Sequence, residues 1–146
     1  MHRVKTTFLS IVLLASLSLT LSVAQPGPKQ PPRRIPLPPG VKALKDLEYG
    51  QASGRPMLLD LYLPEKADKP LPLIVWIHGG AWLGGSKDGR SPALSFTTNG
   101  YAVAHVGYRL SPEAKFPAQI HDCKAAVRWL RANAMKYNLD PNKFAA

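Results

Sequence analysis

The stretch LPLIVWIHGGAWLGGSKDG, residues 71–89, constrains the fold of this chain more than any other part of it. LIVWIH is apolar almost throughout, with no polar alternation. A strand of that kind has to be covered on both faces, as in a parallel sheet flanked by helices. His78 then closes the run, and Gly79, Gly80, Gly84 and Gly85 follow with Trp82 among them. Glycine lets a backbone approach a ligand closely and turn its N–H groups toward negative charge. The loop is therefore the first place to look for chemistry.

The flanking segments supply the rest of an α/β pattern. LEYG (residues 47–50) and MLLDLYLP (residues 57–64) read as short strands. In the second, Leu59, Leu61 and Leu63 alternate with Asp60 and Tyr62, which predicts one wetter face. Ser91-Pro92 offers an N-cap and first helical position, and Asn99-Gly100 a stop, so a short helix is expected between them. YAVAHVGY (residues 101–108) is a second buried strand. PAQIHDCKAAVRWLRANAMKYN (residues 117–138) is the clearest helix, with Ile120, Cys123, Val127, Leu130, Ala134 and Tyr137 drawing one apolar stripe. LDPNKFAA ends that helix and opens another strand. Strand-helix alternation after residue 71 predicts an α/β fold: a mostly parallel sheet with helices on both faces.

The first residues read as an export leader. His2, Arg3 and Lys5 precede FLSIVLLASLSLTLSVA, which carries no charge, and Ser22 and Ala24 suit a cleavage site. Residues 1–24 are thus expected to be a signal peptide that is cleaved, leaving no stable membrane anchor. Residues 25–45 are expected to be a linker, its first part (residues 25–40) holding seven prolines, and residues 46–146 the globular part. Loss of Arg3 and Lys5 would lower Lys+Arg from 19 to 17 against 9 acids, a formal charge of +8. The basic residues are scattered and no nucleic-acid motif accompanies them, so a solvated surface is expected and nucleic acid is not a partner. Cys123 is the only cysteine, which excludes an intrachain disulfide; a buried, inert thiol is expected.

Three readings of the glycine loop compete. Gly80 to Lys87 resembles a phosphate loop, but Ser86 and Lys87 are in the reverse of the required order and no helix follows. A dinucleotide fingerprint fails on glycine spacing and on the missing acid after the next strand. Outside that loop, a zinc site on the later helix is not expected either, because His121, Asp122 and Cys123 are consecutive and face different directions on a helix. His105 and His121 read as structural histidines. An oxyanion loop survives, since a strand ending in His-Gly-Gly suits backbone donors aimed at an alkoxide.

HGGAW (residues 78–82), followed by YRLSPEAKFPAQIHDCKAAVRWLRANAMKYNLDPNKFA, resembles the α/β-hydrolase superfamily. The branch is that of hormone-sensitive-lipase-like and exported bacterial carboxylesterases, acetyl-xylan and feruloyl esterases among them. The resemblance spans about residues 46–146. It implies a serine-type carboxylic ester hydrolase that needs no cofactor and acts on a small-molecule or polysaccharide ester, in the periplasm or outside the cell. By the same resemblance Gly79, Gly80 and Ala81 form the oxyanion loop, with the Gly80 and Ala81 amides as donors. His78 shapes the loop rather than catalysing, and Trp82 lines a pocket or shields the loop. Arg109 and Asp122 are expected to pair and to order the SPEAKFPA segment. In relatives the next strand leads into G-x-S-x-G, and that motif occurs nowhere in these 146 residues. The catalytic serine, acid and histidine are therefore expected beyond Ala146. This sequence thus resembles an N-terminal part that stops before the nucleophile, expected to be inactive and unstable on its own. The alternative is a non-catalytic protein of the same fold with a binding role or none.

Overall fold

A computed structural model describes residues 36–146; the expected signal peptide and most of the expected linker lie outside the described residues. Five strands form one sheet: β1 Val41–Ala52, β2 Arg55–Pro64, β3 Leu71–Ile77, β4 Ala102–Val106 and β5 Leu139–Ala145. A 3₁₀ segment, Pro92–Asn99, lies between β3 and β4. Helix α1, Ala118–Ala132, and a 3₁₀ turn, Met135–Tyr137, separate β4 from β5.

The spatial order is β1-β2-β4-β3-β5. The β1–β2 and β2–β4 pairs are antiparallel, whereas β3 runs parallel to β4 and to β5. The sheet is therefore mixed rather than mostly parallel. The difference arises at β1 and β2, which form a hairpin over the two-residue turn Ser53-Gly54. Both residues have positive φ, 50° and 71°, as a twist-matched hairpin turn requires. β1 also begins at Val41, so residues 41–45, expected in the linker, are strand.

The two faces are covered unequally. On one, Leu59, Leu61, Val75, Ala104 and Val106 pack under Ala126 and Leu130 of α1. On the other, Tyr62 and Val103 pack under Ala93 and Leu94 of the 3₁₀ segment. That segment starts as expected, with the Ser91 hydroxyl accepting from the Ala93 amide at 3.1 Å, and it stops at Gly100 in the left-handed region. α1 ends six residues earlier than the sequence suggests, because Asn138 at φ 53° turns the chain into β5. Among the described residues, no helix is long and apolar enough to cross a membrane.

Candidate active site

β3 delivers the glycine loop to the C-terminal end of the parallel pair β3–β4. His78 is its first residue and is buried, while Gly79, Gly80, Ala81 and Trp82 are exposed. The His78 ring stacks on Tyr108 at 4.3 Å between centroids and 11° between planes. Its Nδ1 donates to the Gly79 carbonyl at 2.9 Å, and the Tyr108 hydroxyl donates to the His78 carbonyl at 2.7 Å. All of these contacts are to the loop or to the strand beside it.

The loop backbone is unusual. Gly80, Ala81 and Trp82 have φ of 118°, 52° and 61° in succession. A Cβ on Gly80 would run into the Gly84 carbonyl, so glycine is obligatory there both for φ and for space. The Gly80 carbonyl accepts from Leu83 (2.9 Å) and Gly84 (3.2 Å), and the Trp82 carbonyl accepts from Ser111 (2.8 Å). The carbonyls are thereby turned inward and used. In contrast, none of the N–H groups of Gly79, Gly80, Ala81 and Trp82 has an acceptor among the described residues. Exposed amides without partners, on a rigidly turned backbone, are suited to an anionic oxygen. Trp82 is 57% exposed, and its carbonyl ties the loop to Ser111.

The second limb of the loop is anchored by residues that sequence reasoning passed over. Lys87 Nζ lies 2.7 Å from Asp46, 3.0 Å from Asp60 and 3.2 Å from Asp88. Asp60 is fully buried and also takes Lys45 Nζ at 2.6 Å and the Asp46 amide at 3.0 Å. Burial works against its charge, but the hydrogen bonds from Lys45, the Asp46 amide and Lys87 outweigh burial and hold its carboxyl below the ordinary range. For Lys87, burial favours the neutral amine, and the bonds to Asp46 and Asp60 reverse that and raise its pKa. The face of β2 expected to be wetter is therefore dry: Asp60 and Tyr62 are both 0% exposed, covered by the loop and the 3₁₀ segment. A lone acid within an apolar strand was the available signal, since a buried carboxylate demands a cationic partner.

The other singled-out residues divide. Arg109 and Asp122 form a two-pronged pair, Nε to Oδ2 and Nη2 to Oδ1 both at 2.8 Å, and the Arg109 amide adds a third bond at 3.0 Å. His105 is buried in β4, with Nδ1 donating to the Lys87 carbonyl at 3.1 Å. His121 is exposed on α1, and its ring has no hydrogen-bond partner among the described residues. Cys123 is half-buried, with its thiol pushed up to about 11 by burial first and by Asp122 second. Among the described residues, no group of three or more His, Cys, Asp or Glu is placed to hold a metal ion. The serine, acid and histidine expected beyond Ala146 lie outside the described residues. The strand expected to lead toward them is β5, which runs beside β3 and parallel to it as far as Ala145, one residue before Ala146.

Residues 59–146, from β2 through the glycine loop to β5, match the BD-FAE family model. The chain belongs to the BD-FAE family. Several curated relatives, and its structural neighbours, are esterases of the α/β-hydrolase fold in the hormone-sensitive-lipase-like branch. It is 39% identical over 87 residues to the carboxylesterase NlhH of Mycobacterium tuberculosis, covering 58% of this chain and 27% of that one. Two solved structures superpose well. A bacterial heroin esterase gives a TM-score of 0.63 at 31% identity, over 73% of this chain and 34% of the other. A truncated carbohydrate esterase from gut microbiota gives 0.61 at 34% identity, over 71% and 38%. This BD-FAE chain thus spans 27–38% of the length of these three relatives.

Proposed function

We propose that the chain carries the oxyanion-binding part of an exported, serine-type carboxylic ester hydrolase that acts without a cofactor on small esters or acylated polysaccharide. One observation carries the reading: Gly79, Gly80 and Ala81 are exposed residues whose amides have no acceptor among the described residues, at the end of the strand that a parallel sheet presents to substrate. When a nucleophile attacks an ester, the carbonyl oxygen becomes an alkoxide, and fixed N–H donors gain most at that moment. Gly80 and Ala81 are assigned as the donors, with Gly79 giving close approach and His78 and Trp82 holding the loop. The names of its relatives, a carboxylesterase and a carbohydrate esterase, support the same chemistry. The nucleophilic serine, its acid and its histidine are assigned to residues beyond Ala146, since G-x-S-x-G does not occur in the 146 residues of this sequence. Export is assigned to the leader and linker on sequence alone.

The test is hydrolysis of 4-nitrophenyl acetate by the complete gene product, together with covalent labelling by a fluorophosphonate. Both are expected. Gly80→Ala should lower kcat by about 100-fold, the scale of a lost oxyanion donor. A folded gene product that neither hydrolyses the ester nor takes the label would sink the reading.

A further inference from the structure

Two residues beyond Gly85 the chain turns back into the protein. Ser86, Asp88 and Gly89 are exposed or nearly so, but the Lys87 side chain between them is only 11% exposed. Its Nζ reaches Asp46 in β1 and Asp60 in β2, and its carbonyl accepts from His105 in β4. Its stem lies against Gly107, just past β4. One loop residue is thus fastened to three strands. A lysine serving only to keep the loop soluble would point its ammonium into water, where it is readily hydrated. Here the ammonium is drawn between carboxylates, one of them fully buried, and each contact fixes it further.

The contacts around it transmit that position to the amides. Gly85, at φ 95°, is pressed so closely against the His78 ring and the Gly79 carbonyl that a Cβ would collide with both. The Gly84 carbonyl is pressed in the same way against Gly80. The two limbs of the loop thus lie too close at Gly80 and Gly85 to admit even a methyl group between them. The bulge in β1 completes the arrangement. The register shifts between Leu44 and Leu47, with Asp46 at φ 56°, and this sets Lys45 and Asp46 over Asp60.

We propose that Lys87 is a positioning residue for the glycine loop: pinned by Asp46 and Asp60, it holds Gly84 and Gly85 against Gly80, Gly79 and His78 and so fixes the direction of the Gly80 and Ala81 amides. Its catalytic consequence rests on the oxyanion reading above; its mechanical consequence does not.

The experiment compares Lys87→Met, Lys87→Arg and the surface control Lys66→Met, exposed and away from the loop, in the complete gene product. Lys87→Met should lower kcat by about 10- to 100-fold with KM within about twofold, because an interaction made only in the transition state is lost. Lys87→Arg should recover part of the activity, and Lys66→Met should stay near wild type. Hydrogen exchange gives a readout independent of catalysis. The Leu83 and Gly84 amides, closed on the Gly80 carbonyl, should exchange about tenfold faster in Lys87→Met, while the β3–β4 ladder is unchanged. If Lys87→Met does not fold, Asp46→Asn, which removes one exposed partner, should shift both readouts in the same direction by less. Unchanged exchange at Leu83 and Gly84 in the folded variant would overturn the brace. Faster exchange with full kcat would overturn the proposal through the oxyanion reading beneath it, which separates the two failures.

Discussion

Gly84 and Gly85 are adjacent and chemically identical, yet their surroundings are opposite. A Cβ on Gly84 would meet nothing within 4 Å, whereas one on Gly85 would strike the His78 imidazole and the Gly79 carbonyl from a backbone at φ 95°. Gly85→Ala should therefore cost about 2–4 kcal/mol through strain and collision, and Gly84→Ala within about 0.5 kcal/mol. Urea denaturation of the two variants of the complete gene product checks this; equal midpoints would contradict the packing described. The sequence displays four glycines without saying which are obligatory, because that depends on what the loop folds against. His78 and the HGGAW loop were legible from the strand that delivers them. Lys87 was not, because Asp60 in MLLDLYLP was read as lying on a wetter face, and only its burial in the fold demands a cation. The partner lies 27 residues away, and only the fold brings it there.

At the scale of elements, helix α1 shows how an apolar stripe can capture only part of a buried face. Of the apolar stripe drawn through Ile120, Cys123, Val127, Leu130, Ala134 and Tyr137, Leu130 and Ala134 are buried, but Ile120 is 41% exposed and Cys123 and Val127 are half-buried; the buried residues of α1 are Gln119, Asp122, Ala126 and Leu130. Two polar residues face inward because each finds a partner there. Gln119 Nε2 donates to the Ala114 carbonyl at 2.7 Å, and Asp122 takes the Arg109 fork. Apolar periodicity cannot foresee this, since it scores polar residues as outward. The Arg109–Asp122 pair itself was anticipated, and it joins the end of β4 to the second turn of α1 across the SPEAKFPA segment. Asp122→Ala should lower stability by about 3 kcal/mol, because it leaves a mostly buried guanidinium without its carboxylate. Arg109→Lys should cost less, keeping the charge and losing the fork. Thermal melts of both variants decide it, and an unchanged Asp122→Ala melt would reduce the pair to decoration.

For the whole molecule, the α/β class and the element order were readable, and the strand pairing was not. Alternation of strand and helix after residue 71 correctly implies parallel β3, β4 and β5 neighbours, but nothing local tells where β2 inserts. It pairs antiparallel with β4, and this buries Asp60 and brings His105 opposite it. The sheet topology thus makes stability depend on pH. His105 is 0% exposed; burial, only partly opposed by its bond to the Lys87 carbonyl, lowers its pKa below the ordinary 6.5. Its Nε2 has no partner among the described residues, so the neutral ring fits and a second proton does not. Between the lowered folded value and 6.5 the unfolded chain binds a proton that the folded chain refuses. Stability is therefore full above 6.5 and is lost as pH falls from there through the folded value. Asp60, lowered from 3.8, keeps its contribution to lower pH and loses it only in stronger acid. The urea midpoint of the complete gene product should therefore fall in two stages on acidification. His105→Asn, which can still donate to the Lys87 carbonyl but does not titrate, should flatten the first stage. Wild-type and His105→Asn midpoints that fall in parallel between about pH 7.5 and pH 5 would place the acid sensitivity elsewhere.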